Sequence, residues 1–184
     1  MDKKDIIFAI ICGLAVAWIA VDFLGRYGRI FFLIFPALSI IGLWLVDLIG
    51  KKRLFVRHIG RFVLVGAFAD VIDIKVFQFL FWIIPLYLIF KVVSFLAATF
   101  VKFWWNKHWT FEKYEKKHIN REVVQFFIVT LMGLAIDVVL FYYFSRVKTG
   151  ISTKLWIELS IIFAAIVAAI WNFLGYKFLV FKKQ

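Results

Sequence analysis

The chain has 184 residues, 65% of them hydrophobic, and a mean hydropathy of +0.95. Soluble globular domains hold about 45–50% apolar residues, so this composition excludes an ordinary water-soluble fold. The net charge of +12 lies in clusters between apolar runs, which is the pattern of membrane topology and not of nucleic-acid binding. Cys12, the single cysteine, cannot form an internal disulfide, and no Cys or His spacing resembles a metal site.

A membrane-crossing helix needs about 20 mostly apolar residues. In chain order the apolar runs predict six: Ile6–Leu24, Ile30–Ile49, Phe62–Ile84, Leu86–Trp105, Val123–Phe144 and Leu155–Phe173. Pro36 sits inside the second, where a membrane helix tolerates it, and Pro85 marks a tight turn after the third. Ala15-Val16-Ala17 resembles a signal-peptide cleavage site. The first apolar run is too long for a signal peptide, however, and more spans follow, so an uncleaved helix is expected. The connector Glu112–Glu122 is mixed in charge and reads as a surface segment whose basic residues touch anionic lipid heads.

Lys and Arg set the orientation. With the N-terminus inside, Lys3, Lys4, Lys51, Lys52, Arg53, Arg57, Arg61, Lys107, Lys113, Lys116, Lys117, Arg121, Lys177, Lys182 and Lys183 fall on the inner side. Only Arg26, Arg29, Arg146, Lys148 and Lys154 fall outside. That asymmetry predicts cytoplasmic termini.

Residues 62–181 contain an internal repeat. Phe62–Phe77, FVLVGAFADVIDIKVF, matches Phe126–Phe141, FFIVTLMGLAIDVVLF, with Asp73 over Asp137. Lys102–Phe111, KFWWNKHWTF, matches Asn172–Phe181, NFLGYKFLVF, with Phe103, Lys107 and Phe111 over Phe173, Lys177 and Phe181. Each unit, about 62–111 and 126–181, holds two spans, so both enter the membrane from the same side and the repeat is parallel. The expected fold is therefore all-α and polytopic. A two-helix extension, 1–50, precedes a four-helix domain, 51–184.

Residues 62–181 resemble the GtrA-like family of small bacterial and archaeal membrane proteins. The resemblance rests on Phe62 and Gly66, on Asp73 in the same helix, and on the ending Phe103, Asn106, Lys107, Trp109, Thr110 and Phe111. The family's first Asn of that ending is Lys102 here and is kept as Asn172 in the second unit; Lys107 stands for its Arg and Tyr176 for its second Asn. The resemblance implies a multi-pass protein of the cell membrane that handles polyprenyl-phosphate-linked sugar. Such proteins are proposed to move that lipid from the cytoplasmic to the outer leaflet for decoration of surface polysaccharide. It also implies membrane lipids and a glycosyltransferase as partners, and it leaves room for a homo-oligomer.

Ionisable residues inside a span are costly and face protein, water or a partner charge. Gly66, Asp70, Asp73 and Phe77 form one stripe of the third helix. Asp73 and Asp137 lie near mid-membrane and read either as structural hydrogen-bonding carboxylates or as a protonatable pair coupled to cargo movement. Lys91, Ser94, Ala98 and Lys102 share one face of the fourth helix; Glu158, at similar depth, offers Lys91 an ion pair. Lys75 points away from Asp73, toward lipid headgroups or the first two helices.

Arg61, Lys102, Asn106, Lys107, Asn172 and Lys177 lie at the inner helix ends, among Trp104, Trp105, Trp109 and Tyr176. Topology and an aromatic belt account for many of them, and the same set suits a lipid phosphate through charge-assisted hydrogen bonds. No nucleophile–base pair, metal motif or phosphate-cradling glycine loop is present, so neither an enzyme nor a cofactor is expected. Three functions remain open: a lipid-linked-sugar translocase, a membrane anchor for a glycosyltransferase, and a small proton-coupled exporter.

Overall fold

The computed structural model describes residues 2–50, 54–83, 87–115, 118–147, 150 and 152–182. The turn expected at Pro85 and the charges of Lys51, Lys52, Arg53, Lys116, Lys117, Lys148 and Lys183 lie outside the described residues, as does the side chain of Lys154. The described chain is helical, with no strand among the described residues. Its helices are α1 (Lys3–Leu24), α2 (Phe31–Gly50), α3 (Leu54–Ile83), α4 (Tyr87–Trp105), α5 (Ile119–Phe144) and α6 (Thr153–Gly175).

Among the described residues, four helical stretches are long and apolar enough to cross a membrane: Lys3–Gly50, Leu88–Thr110, Ile119–Phe144 and Leu155–Val180. The first of these contains both α1 and α2. The thirty residues of α3 carry Arg57, Arg61, Asp70, Asp73 and Lys75, which lower its hydropathy below that of the other helices. At 1.5 Å per residue α3 is about 45 Å long, more than a hydrocarbon core of about 30 Å requires.

Residues Met1–Glu112 form one compact unit and Lys113–Gln184 a second. In the first unit, α1 starts from a capping box in which Asp2 and Asp5 satisfy each other's backbone N–H groups. It ends at Gly25, whose φ of 55° is left-handed, and a tight 3-10 turn, Gly25–Ile30, reverses the chain into α2. The two helices meet closely at Gly13. A Cβ there would stand 2.5 Å from Cα of Pro36, so only glycine fits. The core of this unit joins Ala9, Leu43, Val65 and Trp109, with Phe8, Ile40, Leu64 and Trp105 against it. Phe8 packs edge-on to Trp105 at 4.4 Å between centroids, and Phe68 stacks on the same indole at 4.7 Å. The first two helices are thus built into the packing of α3 and α4.

In the second unit, α5 and α6 pack as a pair around Phe126, which is fully buried and stacks on Tyr176 at 4.0 Å. Thr130 donates to the Phe126 carbonyl at 2.8 Å, which leaves the Tyr176 hydroxyl to donate to Thr130 Oγ1 at 2.6 Å. Trp171 Nε1 donates to the Val129 carbonyl at 3.2 Å.

Both α4 and α6 end in a five-residue π-helical turn, Asn106–Thr110 and Tyr176–Val180. The amide of Phe111 donates to the Asn106 carbonyl at 2.9 Å, and that of Phe181 to the Tyr176 carbonyl at 2.8 Å. Widened turns of this kind are rare and gather at functional sites.

Candidate functional site

The basic end of the first unit is where α1 and α3 begin and where α2 and the first π turn end. Its centre is Asp5, 3% exposed. Asp5 Oδ1 accepts from Arg61 at 2.8 Å and from Trp109 Nε1 at 2.9 Å, while Oδ2 accepts from Arg57 at 3.0 Å. Arg61 also donates to the Trp109 carbonyl at 2.8 Å and to Glu112 Oε1 at 2.5 Å. Arg57 reaches Asp47 of α2 at 3.4 Å. Burial opposes the charge on Arg57, but the hydrogen bond and charge of Asp5, with Asp47 and Glu112, outweigh it and hold the guanidinium above its ordinary value. Glu112 turns the chain out of the π turn at φ 51°, an uncommon conformation for a side-chain-bearing residue, with its carboxylate on Arg61.

This network places Arg61 among protein partners. Asn106 and Lys107 are fully buried in the π turn, and Asn106 Nδ2 donates to the Lys102 carbonyl at 2.8 Å. Trp109 is 5% exposed, an interior residue and not part of an interfacial belt, whereas Trp104 is exposed. Asn106 Oδ1 and Thr110 Oγ1 are buried without a hydrogen-bond partner among the described residues. They are acceptors that a polar ligand would satisfy.

A second polar group lies between α3 and α4, along their apolar length. Asp73 Oδ2 accepts from Lys91 Nζ at 2.5 Å, and Asp73 Oδ1 accepts from the Ser94 hydroxyl at 2.6 Å. Lys91 therefore has a carboxylate on the adjacent helix, where depth alone offered Glu158. Asp70 stands one turn from Asp73 on α3. Lys75 leaves this face, as its angle on the helix requires, and pairs with Asp22 of α1 beneath the ring of Trp18.

The second unit holds the remaining candidates. Asn172 presses its side-chain oxygen against Gly133, where a Cβ would come within 2.3 Å, and that oxygen is buried without a hydrogen-bond partner among the described residues. Lys177 lies half-buried beside the Phe173 and Phe178 rings, at 5.9 and 5.6 Å. Asp137 is half-buried and Glu158 exposed, and neither has an ion-pair partner among the described residues. Lys113 bridges buried Glu122 at 3.0 Å and the Lys182 carbonyl at 3.0 Å, beside a polar cavity of about 140 Å³ that Arg121, His118 and Gln125 also line.

Sequence reasoning missed Asp5, Asp47, Arg57 and Glu112 as members of the basic-end network. Asp5 had a visible signal, an acid three residues after Asp2 at the head of an apolar run, but that signal explains only a helix cap. Its second role needs partners 52 and 104 residues away.

The chain is 28% identical over 126 residues to the uncharacterized membrane protein YngA of Bacillus subtilis (strain 168), a match covering 68% of this chain and 80% of that protein. No solved structure matches it. A family model described as GtrA/DPMS, transmembrane domain, matches residues 61–181. That segment runs from the buried Arg61 through the Asp73–Lys91 pair to the end of the second π turn. The chain is a membrane protein of the GtrA/DPMS family.

Proposed function

We propose that this protein moves a polyprenyl-phosphate-linked sugar from the cytoplasmic to the outer leaflet of a bacterial or archaeal cell membrane, for surface polysaccharide glycosylation. It does so with six membrane spans, both termini cytoplasmic, and a parallel duplication in residues 62–181. The covalent bonds of the lipid stay intact, so the protein is not an enzyme in this scheme. Its partners are the lipid itself and the glycosyltransferase that makes it.

The observation that carries the proposal is the charged face between α3 and α4. Lys91 on Asp73, with Asp70 one turn away on α3 and Lys102 on the Lys91 face of α4, puts charges along an otherwise apolar segment of a GtrA/DPMS chain. Ionisable groups in such places mark pathways for polar cargo. The duplication draws support from the two π turns, which begin at equivalent positions of the sequence repeat. An exporter of hydrophobic cations fits this face less well, because Asp73 already accepts from both Lys91 and Ser94.

The test is a flux measurement in proteoliposomes, following a labelled polyprenyl-phosphate sugar from one leaflet to the other. Flux above that of empty liposomes is expected. Its absence, with glycosyltransferase still recruited to the vesicles, would replace translocation by anchoring.

A further inference from the structure

The charges of α3 and α4 are arranged in a way that a merely structural ion pair does not require. Lys91, Ser94, Ala98 and Lys102 recur at helical spacing, so they form one face of α4. Lys91 and Lys102 are about 16 Å apart along the axis, roughly half the hydrocarbon thickness. Opposite them on α3, Asp73 holds Lys91, and Asp70 lies one turn before Asp73 on the same stripe. The Lys91 side chain is 57% exposed and Asp73 21%. An ion pair that open, within the length of an apolar helix, is costly unless something polar meets it.

We propose that Lys91 and Lys102 are two successive stations for the lipid phosphate, the first guarded by Asp73 of α3, which yields Lys91 to the phosphate and takes it back once the phosphate has moved on. This deepens the translocase proposal and rests on it. The exchange keeps the ammonium paired at each stage and leaves Asp73 a hydrogen bond in place of its counter-ion. When phosphate takes Lys91, Asp73 keeps the hydroxyl of Ser94, which is fully buried. The ammonium passes from one anion to another and is never left bare in a low-dielectric surround.

The track is one-sided. In α6 the residues at the matching offset of 70 are Ile161, Ala164 and Asn172, so no lysine stands opposite Asp137 on the equivalent face. Headgroup passage therefore runs along α3 and α4 of the first unit.

The full-length protein, reconstituted in liposomes, is tested with a fluorescent polyprenyl-phosphate sugar for flux. Radiolabelled polyprenyl phosphate, competed by inorganic phosphate, is used for binding. Lys91→Met should lower flux roughly tenfold or more, the loss expected when one charge-assisted contact is removed, while Lys91→Arg retains most of it. Binding should persist in Lys91→Met through Lys102 and fall in the double variant Lys91→Met/Lys102→Met. Arg146→Ala, on an exposed cation stacked on Tyr142, should move lipid like the parent. Thermal melting of each variant identifies a folding failure, and Lys91→Arg decides the case if Lys91→Met does not fold. Parent-like flux in Lys91→Met, or loss of flux in a folded Lys91→Arg, overturns the two stations while leaving translocation standing. No flux in the parent overturns translocation and the stations with it. Equal competition by inorganic phosphate would make the site one for free phosphate and overturn the lipid track.

Discussion

Trp109 Nε1 donates to Asp5 Oδ1 at 2.9 Å, tying the first turn of α1 to the π turn that ends α4 across 104 residues of chain. The same carboxylate is the counter-ion of Arg61, whose side chain is 5% exposed. Trp109→Phe keeps an aromatic ring but removes the donor and part of the buried indole, so it should lower stability by about 2 kcal/mol or more. Asp5→Asn should cost more, about 3 kcal/mol, because it leaves buried Arg61 and neighbouring Arg57 short of negative charge. Unfolding in mixed detergent micelles measures both, and an Asp5→Asn protein as stable as the parent would refute the network's role.

Deleting residues 2–50 should prevent the remainder from folding. It removes Asp5 and Asp47 from the two arginines and Phe8 from Trp105 and Trp109. Size-exclusion profiles should show aggregate. A monodisperse truncated protein with native helix content would mean that the first two helices are dispensable to the family segment.

The contact of α1 with α2 predicts opposite outcomes for two glycines. Gly13→Ala drives a methyl into the backbone of Pro36 and Phe35, atoms that cannot rotate away, and should destabilise by about 1–3 kcal/mol or more. Gly42→Ala meets nothing within 4 Å in the middle of a helix and should be neutral or stabilising by up to about 1 kcal/mol. Matching melting temperatures for the two variants would contradict the close approach.

Cys12 is 1% exposed, so a membrane-impermeant thiol reagent reports introduced cysteines with little background. Tyr114→Cys, at an exposed position before α5, and Ser152→Cys, at an exposed position before α6, should label from opposite sides of the membrane. Labelling of both from one side would rule out the six-span arrangement.

Much of the helical architecture was legible locally, because apolar runs long enough to cross a bilayer are a property of contiguous residues. The run at Ile6–Leu24 reappears within α1, and that at Val123–Phe144 within α5. The matched endings at Phe103–Phe111 and Phe173–Phe181 were also visible as residue types. Their π-helical geometry was not: a carbonyl accepts from the fifth residue onward only when packing around the turn demands it. The stripe Lys91, Ser94, Lys102 could be read from 3.6-residue periodicity, yet its counter-charge could not, since periodicity says nothing of which helix lies alongside.

Arg61 marks the boundary most sharply. The sequence determines that it is basic and borders the apolar run Phe62–Ile84, near an interface, which suits a phosphate as well as a carboxylate; α3 in fact begins at Leu54, so Arg61 lies two turns inside the helix. Only the tertiary structure decides that Asp5, Trp109 and Glu112 surround it. The reason is physical: the electrostatic environment of a buried charge is made by groups distant in sequence, and the chain brings them together only when it packs.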